Sequence, residues 1–486
     1  MKLHFRWHVI PPFLLISTIL FIIIIKAICV PITHDEYSAA LYYPTFSFWQ
    51  IMKYPDVWPS NHILNSIFIK LSIFLFGITP FTVRMPNVIS FLLYAAVVWN
   101  FANRYFQSPT VLYYAVFICF LCNPYLIDFF GLARGYGMSN AFMITSIFFC
   151  LRSADENKKS HLLLAWLFAA LAAYANFTLL IFFVSLNGIL ILILWRERLT
   201  RKIPAEILGL QVLSLVILTF LFAIVCYTPI HKMQSTDQFV YWTSNGFFRD
   251  TVLSLVENSR YGVSYFGIQS VWFSCVVVLL FVTMFIAMLL KIFKNRFSVF
   301  QDLFVVTFAM LLFTIVDNII QTVIIQTPNL TGRTALSFYP LFITPFLFGI
   351  KEIRTYWPRV ARAVSWFLIG MGIFHVSTAL RMNQVREWWY DQNTYTVLNY
   401  LNEYRMKHNQ EKVQLNTSWW FNPSFTFYTQ TGKVKWLDLT PYHKDIDSTS
   451  NTQFYYIMDN DWNSLQNHYD PVLKFDGGAR MLLQHK

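Results

Sequence analysis

Charge is what this sequence has least of: only 13% of its 486 residues are Asp, Glu, Lys or Arg, against roughly a quarter in an ordinary soluble domain. With 56% hydrophobic and 19% aromatic residues and a mean hydropathy of +0.46, a water-soluble globular fold is excluded and a polytopic membrane protein is indicated. Acids are scarcer than bases, 25 against 37, for a net charge of +12. That excess does not point to nucleic acid, because the basic residues fall in short clusters between apolar runs, the pattern that orients membrane spans. Cysteine is sparse too. Cys29, Cys119, Cys122, Cys150, Cys226 and Cys275 all lie in or beside apolar runs, so disulfides are not expected to hold the protein together. Cys119 and Cys122 form a C-x-x-C with no second ligand pair, which reads as core packing. The polar C-terminal stretch lacks a Gly-rich phosphate loop and a His/Cys metal spacing, and the chain shows no internal repeat and no low-complexity tract.

What is present is a succession of apolar runs, about eleven of them long enough to cross a bilayer. They fall near residues 9–30, 83–102, 110–127, 137–152, 161–177, 179–195, 207–228, 270–290, 300–325, 334–350 and 363–380. The first is too long for a signal h-region and lacks a small-residue cleavage site, so it is expected to stay as a span. Alternation puts Lys2 and Arg6, Arg104, Arg152 with Lys158 and Lys159, the Arg196 to Lys202 cluster, Lys291 with Lys294 and Arg296, and Lys351 to Arg362 on one side. The positive-inside rule makes that side cytoplasmic. The expectation is an integral protein of the plasma or inner membrane, with a cytoplasmic N-terminus and an exoplasmic C-terminus. Residues 1–380 form the transmembrane domain, with a structured exoplasmic loop at 31–82. From 381 to 486 the composition turns polar, and helices and strands alternate there as in a small α/β domain.

The chemistry concentrates on the exoplasmic side. Thr33-His34-Asp35-Glu36-Tyr37 follows the first span directly. Thr33 and Glu36 match a capping box, which occupies Glu36 and leaves Asp35 ionised at a water-lipid boundary, where it suits a general base. Glu36→Gln is therefore expected to be tolerated, since Gln can also reach back to Thr33. That both acids simply cap an interfacial helix remains the alternative. In the same loop Ile63, Leu64, Ile67, Phe68, Leu71 and Phe74 recur at helical spacing, with His62, Ser66 and Lys70 on one polar strip. This reads as an amphipathic helix lying in the interface. Ala133-Arg134-Gly135-Tyr136-Gly137 forms part of a second loop that also holds Asp128, and a third carries Glu257, Arg260 and Tyr261. Asp317, Asn318 and Gln321 interrupt the ninth run, and Arg333 opens the tenth. Acids together with arginines at lipid headgroup level imply a phosphate, held by guanidinium forks. If that phosphate carries a sugar, Asp35 can deprotonate an acceptor hydroxyl while Arg134 and Arg333 stabilise the departing lipid phosphate.

In this order the motifs resemble the C-type (GT-C) membrane glycosyltransferases that use polyprenyl-phosphate sugars, the group of protein mannosyltransferases and the aminoarabinose transferase. Asp35-Glu36 matches the first-loop acidic motif, and Asn61-His62-Ile63-Leu64 the polar opening of a juxtamembrane helix. Ala133-Arg134-Gly135-Tyr136 matches an Arg-x-Tyr loop, and Gly332-Arg333 with Tyr339-Pro340 an Arg leading into a Pro-containing span. The resemblance implies that Asp35 is the catalytic acid/base, with Glu36 beside it. It implies that Arg134 and Arg333 contact lipid phosphate. From their outer positions in the chain, His62, Tyr136, Arg260 and Asp317 are further substrate-binding candidates. The expected partners are a polyprenyl-phosphate-linked sugar donor, a lipid, glycan or protein acceptor, and membrane lipids. Asn61-His62 stands where that group has an acidic residue implicated in metal binding, so a divalent metal is left open as the one candidate cofactor. Other readings stay in play: Arg134 pairing with Asp128, Arg333 pairing with Asp317, and Tyr136 and Tyr261 as interfacial anchors. For the whole chain, the competing classes are a transporter or flippase and a ligase for lipid-linked glycans.

Overall fold

The structure, a computed structural model, describes residues 7–56, 58–156, 158–201, 204–236, 238, 244–295 and 300–486. Lys2, Arg6, Lys202 and Arg296, used above to orient the spans, lie outside the described residues. The membrane part consists of α1 (Ile10–Cys29), α2 (Ile63–Phe76), α3 (Pro80–Tyr105), α4 (Val111–Leu121), α5 (Pro124–Phe130), α6 (Tyr136–Glu156) and α7 (Lys159–Ala175). It continues with α8 (Leu180–Arg201), α9 (Ala205–Ser235), α10 (Ser270–Asn295), α11 (Leu303–Ile325), α12 (Phe338–Tyr356) and α13 (Pro358–Ala379).

Every expected apolar run is helical, but not all eleven qualify as spans by length and composition. Among the described residues eight helices are long and apolar enough to cross a membrane, or up to nine if the bent pair α4 and α5 is one span. Those two helices meet at 59°. The bend has a local cause, because Asn123 caps α5 through its side chain and Pro124 occupies the first turn. The stretch from Pro124 expected to be an outer loop is thus a buried helix. The α6 sequence is too polar to qualify, and α7 is short. They pack against each other, with Ala165, Ala169, Ala172 and Ala173 letting the backbones approach, and Ser146 Oγ donates to the Ala165 carbonyl (2.7 Å).

The orientation of α2 inverts the expectation from its polar strip. Asn65, Ser66 and Ser72 are buried, whereas Phe68, Leu71, Phe74, Leu75 and Phe76 are exposed. An apolar surroundings accepts the aliphatic face, so the polar strip has to be satisfied by protein. Asn65 Nδ2 donates to the Ala133 carbonyl (3.2 Å) and its Oδ1 accepts from Asn87 of α3 (2.8 Å), while Asn87 Oδ1 accepts from the Met138 N–H (3.0 Å). This chain of amides fixes the turn that carries Arg134.

Beyond α13 the segment 381–393 leads into α14 (Thr394–Lys407), β1 (Val413–Thr417), α15 (Asn422–Gln430), β2 (Leu437–Leu439), β3 (Phe454–Met458), β4 (Tyr469–Phe475) and β5 (Arg480–His485). The sheet order is β2-β1-β3-β5-β4, with β1 parallel to β2 and β3, and β5 antiparallel to β3 and β4. Where the sequence suggests one helix from Trp462 to Tyr469, the helix covers Trp462–Leu465 and Tyr469 begins β4. A buried ion pair ties the first span to this segment. Lys26 of α1 meets Asp128 of α5 at 2.9 Å, and Lys26 Nζ also donates to the carbonyls of Arg381 (2.5 Å) and Gln384 (2.7 Å). The Tyr261 hydroxyl and the Arg386 N–H donate to Asp128 as well. Tyr261 is consequently a buried strut and not an interfacial anchor.

Candidate active site

Asp35 lies in the turn just past α1, and both arginines singled out from the sequence reach it. Arg333 Nη2 is 3.2 Å and Arg134 Nη2 3.6 Å from Asp35 Oδ2. Neither Arg134 with Asp128 nor Arg333 with Asp317 forms a pair, because Asp128 is taken by Lys26 and Asp317 by Ser185 (2.6 Å). Burial alone would raise the Asp35 carboxyl; the guanidinium groups of Arg333 and then Arg134, helped by His34 and His62, more than offset it and hold the group at about 2. Asp35 is therefore ionised throughout the neutral range, and its side chain keeps 22% exposure.

The two arginines differ in how freely they can turn to a ligand. Arg134 is 2% exposed, and its Nη1 donates to the carbonyls of Asp35 (3.3 Å) and Ser60 (3.1 Å). It is built into the loop. Arg333 sits in a short 3-10 turn, Gly332–Ala335, with about a third of its side chain exposed; its Nη1 donates to Glu387 Oε1 (2.9 Å) and its guanidinium lies 5.1 Å from the Trp388 ring centre. Glu387 Oε2 in turn accepts from the Tyr125 hydroxyl (2.6 Å). Of the two guanidinium groups, that of Arg333 is the more accessible.

Glu36 has a different place. Its Oε2 accepts from the Thr33 N–H (2.9 Å), which is half of a capping box; the Glu36 N–H goes to the Thr33 carbonyl, and Thr33 Oγ1 is left without a partner. The stronger bonds go elsewhere: Arg84 Nε to Oε1 (2.8 Å), Arg84 Nη2 to Oε2 (2.6 Å) and the Ala133 N–H to Oε1 (2.6 Å). Both side chains are fully buried. Burial would raise the Glu36 carboxyl, and Arg84 by charge and hydrogen bond, with the two N–H groups, brings it below its usual range. Arg84 also donates to the carbonyls of Ala27, Val30 and Pro31. The adjacent acids are thus divided between an accessible carboxylate and a buried knot that shapes the chain around it.

His62 and Tyr136 line the same corner, with ring centres 4.9 Å apart, edge to face. Burial, with Arg134 and Arg333 nearby, pushes the His62 ring well below its ordinary value, so it is neutral, and its buried Nε2 has no partner among the described residues. Tyr136 is buried, which rules out the interfacial role considered for it. Gly135 is required by its surroundings: a Cβ there would lie 2.2 Å from the Ala175 carbonyl oxygen and 2.8 Å from His62 Cβ. Two expected residues are engaged elsewhere. Arg260 donates to Ser270 Oγ (2.6 Å) and the Ile268 carbonyl (2.9 Å), and Asp317 meets Ser185 on α8. Sequence reasoning passed over Arg84, Lys26, Tyr125, Glu387 and Asp391. A signal was present for the first two, since ionisable residues within or at the end of an apolar run mark buried partners. Nothing local flagged Glu387 or Asp391, which reach the site only through the fold.

A metal does not suit this corner. Among the described residues no group of three or more His, Cys, Asp or Glu side chains converges, and the carboxylates of Asp35 and Glu387 are already met by the guanidinium groups of Arg333 and Arg134, which repel a cation. The chemistry below accordingly uses none.

No protein-family model matches the chain, and no curated protein matches its sequence. Among solved structures it is similar to ArnT from Cupriavidus metallidurans, in the apo state (TM-score 0.47, 11% identity) and bound to undecaprenyl phosphate (TM-score 0.43, 12% identity), each comparison covering 97% of this chain and 97% of that one.

Proposed function

We propose that the chain is an integral-membrane glycosyltransferase of the C type, moving a sugar from a polyprenyl-phosphate donor to an acceptor hydroxyl on the exoplasmic side. The observation that carries this reading is the accessible, ionised Asp35 held between Arg333 and Arg134 at one end of the helices. The donor phosphate competes with Asp35 for Arg333. Binding it draws the guanidinium away, and the carboxylate regains basicity when it is needed. Asp35 then takes the proton of the acceptor hydroxyl as that oxygen bonds to the anomeric carbon. The bond from that carbon to the phosphate oxygen breaks, and the polyprenyl phosphate leaves with its new negative charge on the arginine side. Glu36 and Arg84 fix the turn, and neutral His62 borders the sugar.

The test is turnover of reconstituted protein with polyprenyl-phosphate sugars. Asp35→Asn is expected to reduce turnover by about 10²–10⁴-fold while undecaprenyl phosphate still binds, because Arg333 and Arg134 remain. Wild-type turnover in Asp35→Asn would remove the base from the scheme. The exoplasmic placement rests on the positive-inside pattern. Cysteine labelling at positions near 50, 245 and 420 should report one common, non-cytoplasmic side.

A further inference from the structure

The turn bearing Asp35 is gripped from two directions. The membrane helices hold it through Glu36, Arg84 and the Ala133 N–H, as described. The other grip comes from the C-terminal domain. The Ile32 N–H donates to the Tyr428 hydroxyl (3.0 Å), and Ser424 Oγ donates to the Ile32 carbonyl (2.6 Å). The His34 N–H donates to Asp391 Oδ2 (2.8 Å), and His34 Nδ1 donates to the Trp420 carbonyl (2.9 Å). Every one of these bonds lands on the residues just before Asp35, and none on its carboxylate.

Asp391 is the unusual member. It is 1% exposed, and its Oδ1 has no partner among the described residues. Arg480 is the cation nearest to it in effect, yet Arg480 donates to the carbonyls of Trp389 and Tyr390 and pairs with Asp476. A buried carboxyl with a single hydrogen bond is expensive for packing alone, and the bond it makes is to the N–H next to the proposed base. Burial, with repulsion from Glu36 and Asp35, lifts Asp391 well above the ordinary carboxylate range although the His34 N–H counters it, and an amide oxygen can accept from that N–H in its place.

We infer that Asp391 is a positioning residue for the proposed base: through the His34 N–H it sets the turn on which Asp35 stands, which makes the C-terminal domain part of the active site. This rests on reading Asp35 as the base. Placement matters because misplacing a reacting group by about 1 Å costs on the order of 10²-fold in rate.

The experiment uses full-length protein in nanodiscs, with kcat from polyprenyl-phosphate sugar turnover and Kd from undecaprenyl phosphate as the lipid-phosphate probe. Asp391→Ala should lower kcat on the order of 10- to 100-fold with the probe Kd unchanged. Asp391→Asn, which keeps the acceptor for His34, should recover to within about threefold of wild type. Should Asp391→Ala not fold, Tyr428→Phe and Ser424→Ala each delete one bond to Ile32 without emptying a buried site, and each should lower kcat several-fold at constant Kd. Unchanged kcat in the folded variants overturns the inference. So does an Asp391→Asn protein as slow as Asp391→Ala, which would place Asp391 in the chemistry itself. Failure of the underlying reading looks different: Asp35→Asn would then turn over normally, whatever Asp391 does.

Discussion

Replacing Glu36 by Gln tests the division of labour between the two neighbouring acids. From the sequence this exchange looks mild; the structure makes it severe. Each Glu36 oxygen accepts two bonds, one from Arg84 and one from a backbone N–H, those of Ala133 and Thr33. An amide offers one oxygen and one NH2 group, so whichever way it turns, two donors face a donor. Arg84, fully buried, is left without its anion. Breaking a buried pair from one side costs about 3–5 kcal/mol, and each unpaired backbone group adds about 1–3 kcal/mol. Against a total stability of roughly 5–15 kcal/mol, little folded protein should survive. The four buried cysteines Cys119, Cys122, Cys150 and Cys226 provide the assay: a thiol-reactive fluorophore reports unfolding in detergent, and the midpoint for Glu36→Gln should fall far below wild type. Asp35→Asn, at a partly exposed site where Arg333 keeps Glu387 and Arg134 keeps its backbone carbonyls, should lower the midpoint much less. A Glu36→Gln protein with wild-type midpoint and turnover would refute this reasoning. Pairing it with Arg84→Met should give only partial recovery, because the carbonyls of Ala27, Val30 and Pro31 would then lose their donor.

Arg333→Lys replaces a fork that spans Asp35 and Glu387 by a point charge that reaches one of them. Loss of one charge-assisted bond, about 1.5–3 kcal/mol, should weaken donor use by roughly 10- to 100-fold, and wild-type donor kinetics would count against a phosphate role for Arg333. The Asp35 carboxyl, held at about 2 by the arginines, is depressed on folding. Its ionised form, and the stability it contributes, are present above its ordinary value near 4 and are lost only as pH falls through about 2. The pH profile of kcat/KM should therefore show no acid limb from this group between about 4 and 7, and Arg333→Gln should move that limb upward; a wild-type limb near 4 that ignores the variant would contradict the assignment. Gly135→Ala forces a methyl to within 2.2 Å of the Ala175 carbonyl oxygen and should displace Arg134, lowering turnover and the unfolding midpoint together; an unchanged variant would mean the loop yields freely.

The helices were legible because each apolar run obeys a length rule, and the strands because turn residues punctuate them. The span count was less so, since α7 is short and α6 polar for a crossing, and Asn123 and Pro124 bend one apolar run into α4 and α5. At the site, Asp35, Arg134 and Arg333 were legible as charges at the ends of apolar runs. Their partners were not. The choice between Asp128 and Asp35 for Arg134, or between Asp317 and Asp35 for Arg333, depends on helix packing that places Lys26 and Ser185 on the competing acids. The inverted face of α2 was misread for a related reason: a polar strip on a helix means water at a soluble surface, but protein when lipid is the outside solvent.

The clasp of Lys26 has a consequence for how the molecule is made. A chain emerges from the ribosome N-terminal end first, so Lys26 enters the bilayer within the first span when none of its partners has been synthesised. A lysine in an apolar segment costs about 2.5–3.5 kcal/mol at mid-bilayer, eased near a helix end by reaching toward the headgroups. Asp128 comes next, and the carbonyls of Arg381 and Gln384 arrive only after the last helix has been inserted. The same late segment brings Glu387 to Arg333. Sealing of the first helix and completion of the arginine cluster thus fall at one late step of biogenesis, and a nascent chain short of that step carries the proposed site incomplete.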